Sequence, residues 1–144
     1  MSFVSDLTFG KANEEIVLAM VQELFPLDEW SLSEIKTDVD IVSKGWLTVE
    51  CKSDRLSLTT WNVFIEVACS WKPSWIFKYD SLDVLAYSYW DTTIFTNVSK
   101  LKSFLHNNDG RLRKIKAGDG WRSLGYLVSL EDYKSLASII ITHT

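Results

Sequence analysis

Cysteine and histidine are scarce in this chain. The only two cysteines, Cys51 and Cys69, have neither the spacing of a disulfide framework nor that of a zinc site. Both lie in apolar, strand-like segments, so we predict buried free thiols in a reducing cytoplasm. The two histidines, His106 and His143, belong to no ligand or triad pattern and are predicted to lie on the surface.

Long apolar runs, internal repeats and low-complexity segments are also missing. No apolar stretch is long enough to cross a bilayer, and the first residues lack the basic start and apolar stretch of a signal peptide. The 144 residues are 47% hydrophobic and 24% charged, which is ordinary for a globular protein and enough to bury a core. We therefore predict one domain over residues 1–144, cytoplasmic and without a membrane partner.

Net positive charge is lacking as well. The formal net charge is −4, which by itself argues against binding to nucleic acid. The distribution is uneven, however, because residues 1–99 hold 7 Lys/Arg against 15 Asp/Glu, whereas residues 100–122 hold 7 against 2. This local basic segment would suit contact with phosphates, and it would equally suit a solvated edge strand whose charges prevent aggregation.

What the chain does contain is a polar-faced hairpin around residues 38–52. Apolar and polar residues alternate before and after Ser43-Lys44-Gly45, which is typical of two strands joined by a three-residue loop with glycine in the left-handed position. In that register Val42 pairs with Trp46, and Asp40 lies opposite Thr48 on the face that carries Glu50 and Lys52. The other face is apolar and is predicted to pack into the core: Val39, Ile41, Leu47, Val49 and Cys51.

Two carboxylates and one ammonium group on neighbouring strands are suited to binding a metal ion. Asp40 and Glu50 supply the oxygen ligands that Mg²⁺ prefers, and Lys52 projects from the same face towards a metal-bound water or a phosphate oxygen. The alternative is a solvated strand face with one cross-strand ion pair, worth about 0–1 kcal/mol.

Asp40 followed by Glu50-Cys51-Lys52 resembles the D…ExK signature of the PD-(D/E)XK nuclease superfamily, which includes restriction endonucleases and Holliday junction resolvases. Asp38 offers a second acid two residues earlier, in place of the usual Pro-Asp pairing. The resemblance covers roughly residues 7–89. It implies an α/β fold, with a central mixed β-sheet flanked by helices, of the restriction-endonuclease-like kind.

The resemblance also implies site residues and a cofactor. Asp40 and Glu50 would hold Mg²⁺, with Mn²⁺ as a substitute, together with the Cys51 carbonyl, while Lys52 would orient or deprotonate a water molecule. Glu66, a lone acid in an apolar run, is a third ligand candidate, and a salt bridge to Lys72 or Lys52 is its alternative. Three further residues are accessory candidates: Glu14 and Glu15 on the first helix, which otherwise are acids near a helix N-terminus, and Asn62.

Basic and polar residues outside the hairpin are candidates for phosphate contacts. They share loops or the basic segment: Arg55, Lys72, Ser74, Arg111, Arg113, Lys114, Lys116 and Arg122. Seven tryptophans are many for this length, and some, such as Trp46 and Trp61, are predicted at sheet edges or at an interface, with base stacking as the alternative.

The predicted function is metal-dependent endonucleolytic hydrolysis of DNA, of the restriction or homing type, by a homodimer that brings two sites to a duplex. A structure-selective Holliday junction resolvase is one alternative. A non-catalytic nucleic-acid-binding or assembly domain that keeps the nuclease fold is another.

The remaining patterns predict the other elements. A first helix is capped by Thr8 and ends at Phe25-Pro26, and Ser129 caps a final helix. Strands are predicted over 82–89, 92–96, 111–116 and 126–129, and a helix over 100–106 capped by Ser99. Residues 61–69 are predicted to form a strand or the strand-like end of a helix. Residues 139–141 form either a buried helical turn or an edge strand.

Overall fold

A computed structural model describes residues 3–33, 39–45, 47–54, 60–74, 76, 82–117, 120 and 122–142, without the side chains of residues 3–10. Its helices are α1 (Phe3–Leu24), α2 (Val98–Asn107) and α3 (Leu130–Ser135). Its strands are β1 (Trp30–Leu32), β2 (Ile41–Ser43), β3 (Thr48–Ser53), β4 (Asn62–Cys69), β5 (Lys72–Pro73), β6 (Val84–Tyr89), β7 (Thr92–Asn97), β8 (Arg113–Ala117), β9 (Ser123–Ser129) and β10 (Ile139–Thr142).

The larger sheet has six strands in the order β1-β2-β3-β6-β7-β10. It is mixed, because β3 and β6 run parallel while the other neighbours are antiparallel. The chain between β3 and β6 builds β4 and β5 before it returns, as a parallel connection requires a crossover. The fold is therefore α/β with a mixed sheet and helices, as the sequence predicts.

Helix α1 covers one face of this sheet around the hairpin β2–β3. Its buried residues Val17, Met20 and Val21 form one apolar cluster with strand residues that include Ile41 and Val49. These side chains recur at helical spacing on α1 and at alternate positions on the strands, so a single stripe meets a single face. Val49 and Cys51 of β3 therefore face α1, and Glu50 and Lys52 alternate with them along the strand.

The smaller sheet is antiparallel, in the order β5-β4-β9-β8. Its long pair β4–β9 runs from Asn62↔Ser129 to Cys69↔Ser123, with an irregularity between Glu66 and Ala68. A second apolar cluster joins both sheets to α2 and α3, and its members include Val63, Ile65, Leu85, Tyr87, Leu101, Leu105, Tyr126, Val128 and Tyr133.

The helix caps agree with the sequence in part. Ser129 caps α3, because its Oγ accepts the Asp132 N–H at 3.1 Å, as predicted. The cap of α2 is Asn97, not Ser99, since the Asn97 Oδ1 accepts the Lys100 N–H at 3.2 Å. Helix α1 begins at Phe3, so Thr8 lies inside the helix and the predicted cap is wrong.

The predicted strands are confirmed within three residues at each end, and the isoleucine run of residues 139–141 is an edge strand paired with β7. Cys51 is buried, as predicted, whereas Cys69 is exposed. The prediction for Cys69 is wrong because β4 continues beyond the core to the end of the smaller sheet. His106 is exposed, as predicted, and His143 lies outside the described residues. No helix in the described part of the chain is both long and apolar enough to span a bilayer.

Gly125 allows β9 to approach β4 at the irregularity. A Cβ at this position would lie 2.5 Å from the Ile65 carbonyl oxygen and 2.5 Å from the Phe64 ring. We expect Gly125→Ala to lower the free energy of unfolding by about 1–3 kcal/mol, because backbone and ring must both shift. Urea unfolding measures this change. Gly110→Ala is the matched control, since nothing lies within 4 Å of its Cβ, and equal midpoints for the two variants would contradict the prediction.

Candidate active site

The hairpin β2–β3 is tied by Ser43 and Leu47. The Ser43 N–H donates to the Leu47 carbonyl at 2.9 Å, and the Leu47 N–H donates to the Ser43 Oγ at 3.0 Å. The strands pair Ile41↔Val49 and Val42↔Thr48, so the predicted pairing of Val42 with Trp46 is wrong by two residues. Trp46 itself lies outside the described residues.

A shift of two residues keeps Ile41, Val49 and Cys51 together on one buried face, because strand side chains alternate with a period of two. The predictions for two other core positions are wrong, since Leu47 is 45% exposed and Val39 packs in the other apolar cluster, beyond the bend at Asp40.

The pairing of β2 with β3 begins at Ile41↔Val49, and Asp40 lies before it in a bend, so the predicted position of Asp40 opposite Thr48 is wrong. Thr48 instead meets Asp83, whose Oδ2 accepts the Thr48 N–H at 3.0 Å.

Asp40 lies in a bend just before β2, where the backbone leaves the sheet. Its Oδ2 accepts the Cys51 N–H at 2.8 Å, so the side chain satisfies a donor of β3. This bond holds the Asp40 carboxylate against β3 at the residue between Glu50 and Lys52.

Glu50 is the acid most perturbed by this arrangement. Its side chain is only 10% exposed, and its Oε1 lies 3.5 Å from the Lys52 Nζ. Burial, and then the charge of Asp40, raise the pKa of Glu50 to about 7, against the opposing effect of Lys52. A carboxyl group that changes its protonation state near neutrality beside a second acid is characteristic of functional sites.

Glu14 brings a third carboxyl group from α1. Burial, the charge of Asp40 and a hydrogen bond with Asp40 raise the pKa of Glu14 above its ordinary value. Glu15, the next residue, is exposed. The structure therefore brings Glu14, Asp40, Glu50 and Lys52 together and leaves Glu15 outside the group.

The Cys51 thiol faces the opposite side of β3. It is buried in the apolar cluster beneath α1, and burial raises its pKa well above the usual range. A thiol held in its protonated form is a poor ligand, so any contribution of Cys51 to a metal would come from its backbone carbonyl.

The acids fit a hard cation by their donor type. In the described part of the chain, no three side chains of His, Cys, Asp or Glu are already arranged as a metal site. The charge of Asp40 nevertheless raises the pKa values of Glu14 and Glu50, and the charge of Glu14 adds to the effect on Glu50, which means that the negative charges repel. A divalent cation with oxygen ligands would relieve that repulsion.

A cavity of about 420 Å³ opens beside Lys52, between the two sheets. Asn62 and Glu66 of β4 line it together with Lys52, so the structure places both accessory candidates near the lysine. The Glu66 carboxylate accepts hydrogen bonds from Ser74 Oγ at 2.5 Å and from Ser123 Oγ at 2.9 Å. Glu66 is thus held by hydroxyl groups on the smaller sheet, and the charges that shift the pKa of Glu50 do not include it.

Asn62 makes a local contact. Its Nδ2 donates to the Thr60 carbonyl at 2.9 Å, which orients the amide at the rim of the cavity. Deeper in the cavity wall, the Tyr87 hydroxyl donates to Asp54 Oδ2 at 2.6 Å.

The residues predicted to contact phosphates differ in their exposure and in their partners. Lys72, Arg113, Lys116 and Arg122 are exposed. Ser74 is buried and donates to Glu66, so its predicted place on an exposed loop is wrong.

The remaining basic candidates have partners. Arg111 donates from Nε and Nη2 to Asn108 Oδ1, at 3.2 and 2.9 Å. Lys114 lies 3.0 Å from Asp109 and over the ring of Tyr126. These two cations are therefore engaged within the protein, and β8 is an edge strand, as one of the two sequence interpretations holds. Asp38 and Arg55 lie outside the described residues.

Sequence reasoning missed two exposed tryptophans at hairpin turns, Trp71 between β4 and β5 and Trp90 between β6 and β7. For Trp90 the signal was present, because it is followed by Asp91 and lies between two strand-like apolar segments. Trp71 is followed by Lys72 and Pro73, which are typical of a turn. Trp61, which the sequence places at an edge or interface, is 65% exposed.

Known proteins do not assign this site to a family. Comparisons of the chain with protein-family models, with curated proteins and with solved structures gave no match.

Proposed function

We propose that this protein is a metal-dependent nuclease that hydrolyses phosphodiester bonds in DNA. The observation that carries the proposal is the convergence of Asp40, Glu50 and Lys52 on one hairpin, with the pKa of Glu50 raised to about 7. An isolated ion pair on a strand face would leave its acid near the ordinary pKa, so the surroundings of Glu50 favour the catalytic interpretation over the solvated one.

The roles follow from position. Asp40 and Glu50 would hold Mg²⁺, for which Mn²⁺ could substitute, with the Cys51 carbonyl as a further oxygen ligand and Glu14 and Glu66 as accessory acids. Bound Mg²⁺ supplies a water of lowered pKa and charge stabilisation at the phosphate. Lys52, half-exposed at the rim of the 420 Å³ cavity, orients the attacking water and contacts a phosphate oxygen.

The topology supports a restriction-endonuclease-like fold. The helix that carries Glu14 precedes the antiparallel meander β1–β3, as the resemblance implies for an acidic helix ahead of the D…ExK hairpin. After β4 and β5 of the smaller sheet, the chain returns as β6, which lies parallel to β3. A homodimer would supply the second site needed to cut both strands of a duplex.

The direct test is cleavage of linear duplex and of a four-way junction by the purified protein in Mg²⁺ and in EDTA. We expect Mg²⁺-dependent cutting, and the preferred substrate separates a restriction or homing enzyme from a junction resolvase. Failure to cut either substrate, with DNA binding unaffected by Lys52→Ala, would overturn the proposal in favour of a non-catalytic domain.

Lys52→Ala is expected to reduce the cleavage rate by about 10²-fold, because the attacking water loses its positioning group. Lys44→Ala is the matched control, since Lys44 is in the same hairpin but pairs with Glu29 at 2.8 Å in solvent. Single-turnover kinetics measure both rates. Equal loss in the two variants would contradict the role of Lys52.

A further inference from the structure

Three exposed tryptophans adopt backbone conformations that disfavour bulky residues. Trp61, Trp71 and Trp90 have φ angles of 58°, 70° and 51°, and they are 65%, 96% and 80% exposed. Left-handed φ angles are uncommon for non-glycine residues and carry a cost in conformational free energy. Exposed side chains recover little of that cost by packing within the chain.

The turn that contains Trp71 has the largest cost in conformational free energy, because two successive residues have positive φ angles. Ser70 and Trp71 join Cys69 of β4 to Lys72 of β5, and both have positive φ, at 49° and 70°. Two-residue turns of this kind strongly favour Asn-Gly or Gly-Gly. Backbone strain of this sort concentrates at binding sites, where the strained residue has a role beyond the fold.

The neighbours of Trp71 distinguish it from the other two tryptophans. It lines a cavity of about 360 Å³ with Lys116, Gly120 and Arg122. The sheet register brings the turn of Trp71 close to Lys116, because Ser123 of β9 pairs both with Cys69 of β4 and with Ala117 of β8. The Ser70 N–H donates to the Arg122 carbonyl at 2.9 Å, which holds the turn against the connection from β8 to β9.

The charge of this cavity has one sign. Lys116 and Arg122 are exposed, and none of the described residues that line the cavity is acidic. Gly120, at φ 66°, adds backbone without a side chain. An exposed indole that shares a cavity with two cations matches a nucleotide, whose base offers a flat face and whose flanking phosphates are anionic.

We propose that this cavity binds an unpaired nucleotide, with its base stacked on Trp71 and its flanking phosphates against Lys116 and Arg122. The proposal rests on the proposed nuclease function and names its substrate class, namely DNA with single-stranded or branched segments. Paired bases inside a duplex present no free face to an indole. Lys116 lies between Ile115 and Ala117, which line the cavity of Lys52, so the two cavities lie on opposite faces of β8.

The test measures binding by fluorescence anisotropy in EDTA, where metal-dependent hydrolysis is suppressed. The labelled probes are a blunt duplex, a forked duplex and a single strand of mixed sequence, with polyglutamate as an acidic peptide. The variant is Trp71→Gly, and Trp90→Gly is the matched control, because Trp90 is also an exposed tryptophan with positive φ at a hairpin turn. Glycine suits both turns, so thermal unfolding should show no loss of stability in either variant.

We expect Trp71→Gly to weaken binding of the forked and single-stranded probes by about ten- to a hundredfold, and Trp90→Gly to leave it unchanged. Lys116→Gln should reduce the salt dependence of that binding by the equivalent of about one phosphate contact. Wild-type affinity of Trp71→Gly for the forked probe would overturn the proposal, as would equally Trp71-dependent binding of polyglutamate.

Cleavage in Mg²⁺ is measured separately, so that the two proposals can fail independently. If the protein binds forked DNA through Trp71 but never cuts it, the proposed nucleotide site is supported and the proposed nuclease function is overturned. If the wild type cuts DNA and Trp71→Gly binds every probe as tightly as the wild type, the nuclease function is supported and the proposed nucleotide site is overturned.

Discussion

Glu50→Gln is expected to reduce Mg²⁺-dependent DNA cleavage by about 10⁴-fold, the largest loss of any single substitution in this chain. Glutamine keeps the size of the side chain, but it removes the charge that would hold the cation and with it the charge stabilisation at the phosphate. Single-turnover cleavage in Mg²⁺, by the wild type and by the variant, measures the loss.

The matched control is Glu15→Gln, an equally conservative change at an exposed acid next to Glu14. It should leave cleavage unchanged, whereas Glu14→Gln should lower it through the contact with Asp40. The double variant of Asp40→Asn and Glu50→Gln should lose little more than Glu50→Gln alone, because groups that act as a unit are not additive. Full additivity would show that the two carboxylates work independently and would contradict a shared metal.

Stability should fall as pH rises through the range in which Glu50 ionises. The unfolded carboxyl ionises near 4.5, whereas the folded one keeps its proton until about 7. The folded state therefore binds more protons between these values, and its free energy of unfolding declines by up to about 3 kcal/mol from pH 4.5 to above pH 7. Glu14, whose pKa is also raised, acts in the same direction.

Two other acids contribute to stability outside this pH window. The pKa values of Asp28 and Asp109 lie below their ordinary value of 3.8, the first through a hydrogen bond with Ser43 and the second through one with Tyr126. Their stabilising contribution is complete above pH 4 and is lost only on further acidification. Any decline between pH 5 and 8 can therefore be separated from them.

Urea unfolding across pH 5–8 measures the decline, and Glu50→Gln should remove most of it while Glu15→Gln keeps it. Mg²⁺ should stabilise the wild type at pH 8, where Glu50 is ionised, and much less at pH 5, because a ligand that binds only the folded, ionised form shifts the unfolding equilibrium by mass action. If the free energy of unfolding declines equally with pH in the wild type and in Glu50→Gln, Glu50 is not the titrating group. Stabilisation by Mg²⁺ that does not depend on pH would contradict a site at Glu50.

Much of the local structure follows from short-range chemistry in the sequence. Alternation of apolar and polar residues indicates β3, β4 and β6, and a hydroxyl three residues before Asp132 indicates the cap of α3. The proximity of Asp40 to Glu50 is predicted correctly even though the loop is misplaced, because the charge of Asp40 contributes to the raised pKa of Glu50.

The loop itself is decided by contacts from other parts of the chain. Asp28, far from the hairpin in sequence, accepts the Gly45 N–H at 3.2 Å, and Asp83 accepts the Thr48 N–H at 3.0 Å. Neither partner can be identified from alternation or turn chemistry. The same holds for Glu66, whose serine partners come from β9 and from the segment after β5.

The sequence by itself therefore determined the polar face of the hairpin, the order of the strands along the chain and the candidate acids, because these depend on periodicity and on neighbouring residues. Only the tertiary structure decided that Glu14 and not Glu15 joins Asp40, that Glu66 stays with the smaller sheet, and that Trp71 meets Lys116 and Arg122. The physical reason is that burial, charge interaction and strand pairing act between segments that are distant in the chain, and a one-dimensional pattern carries no information about which of them come together.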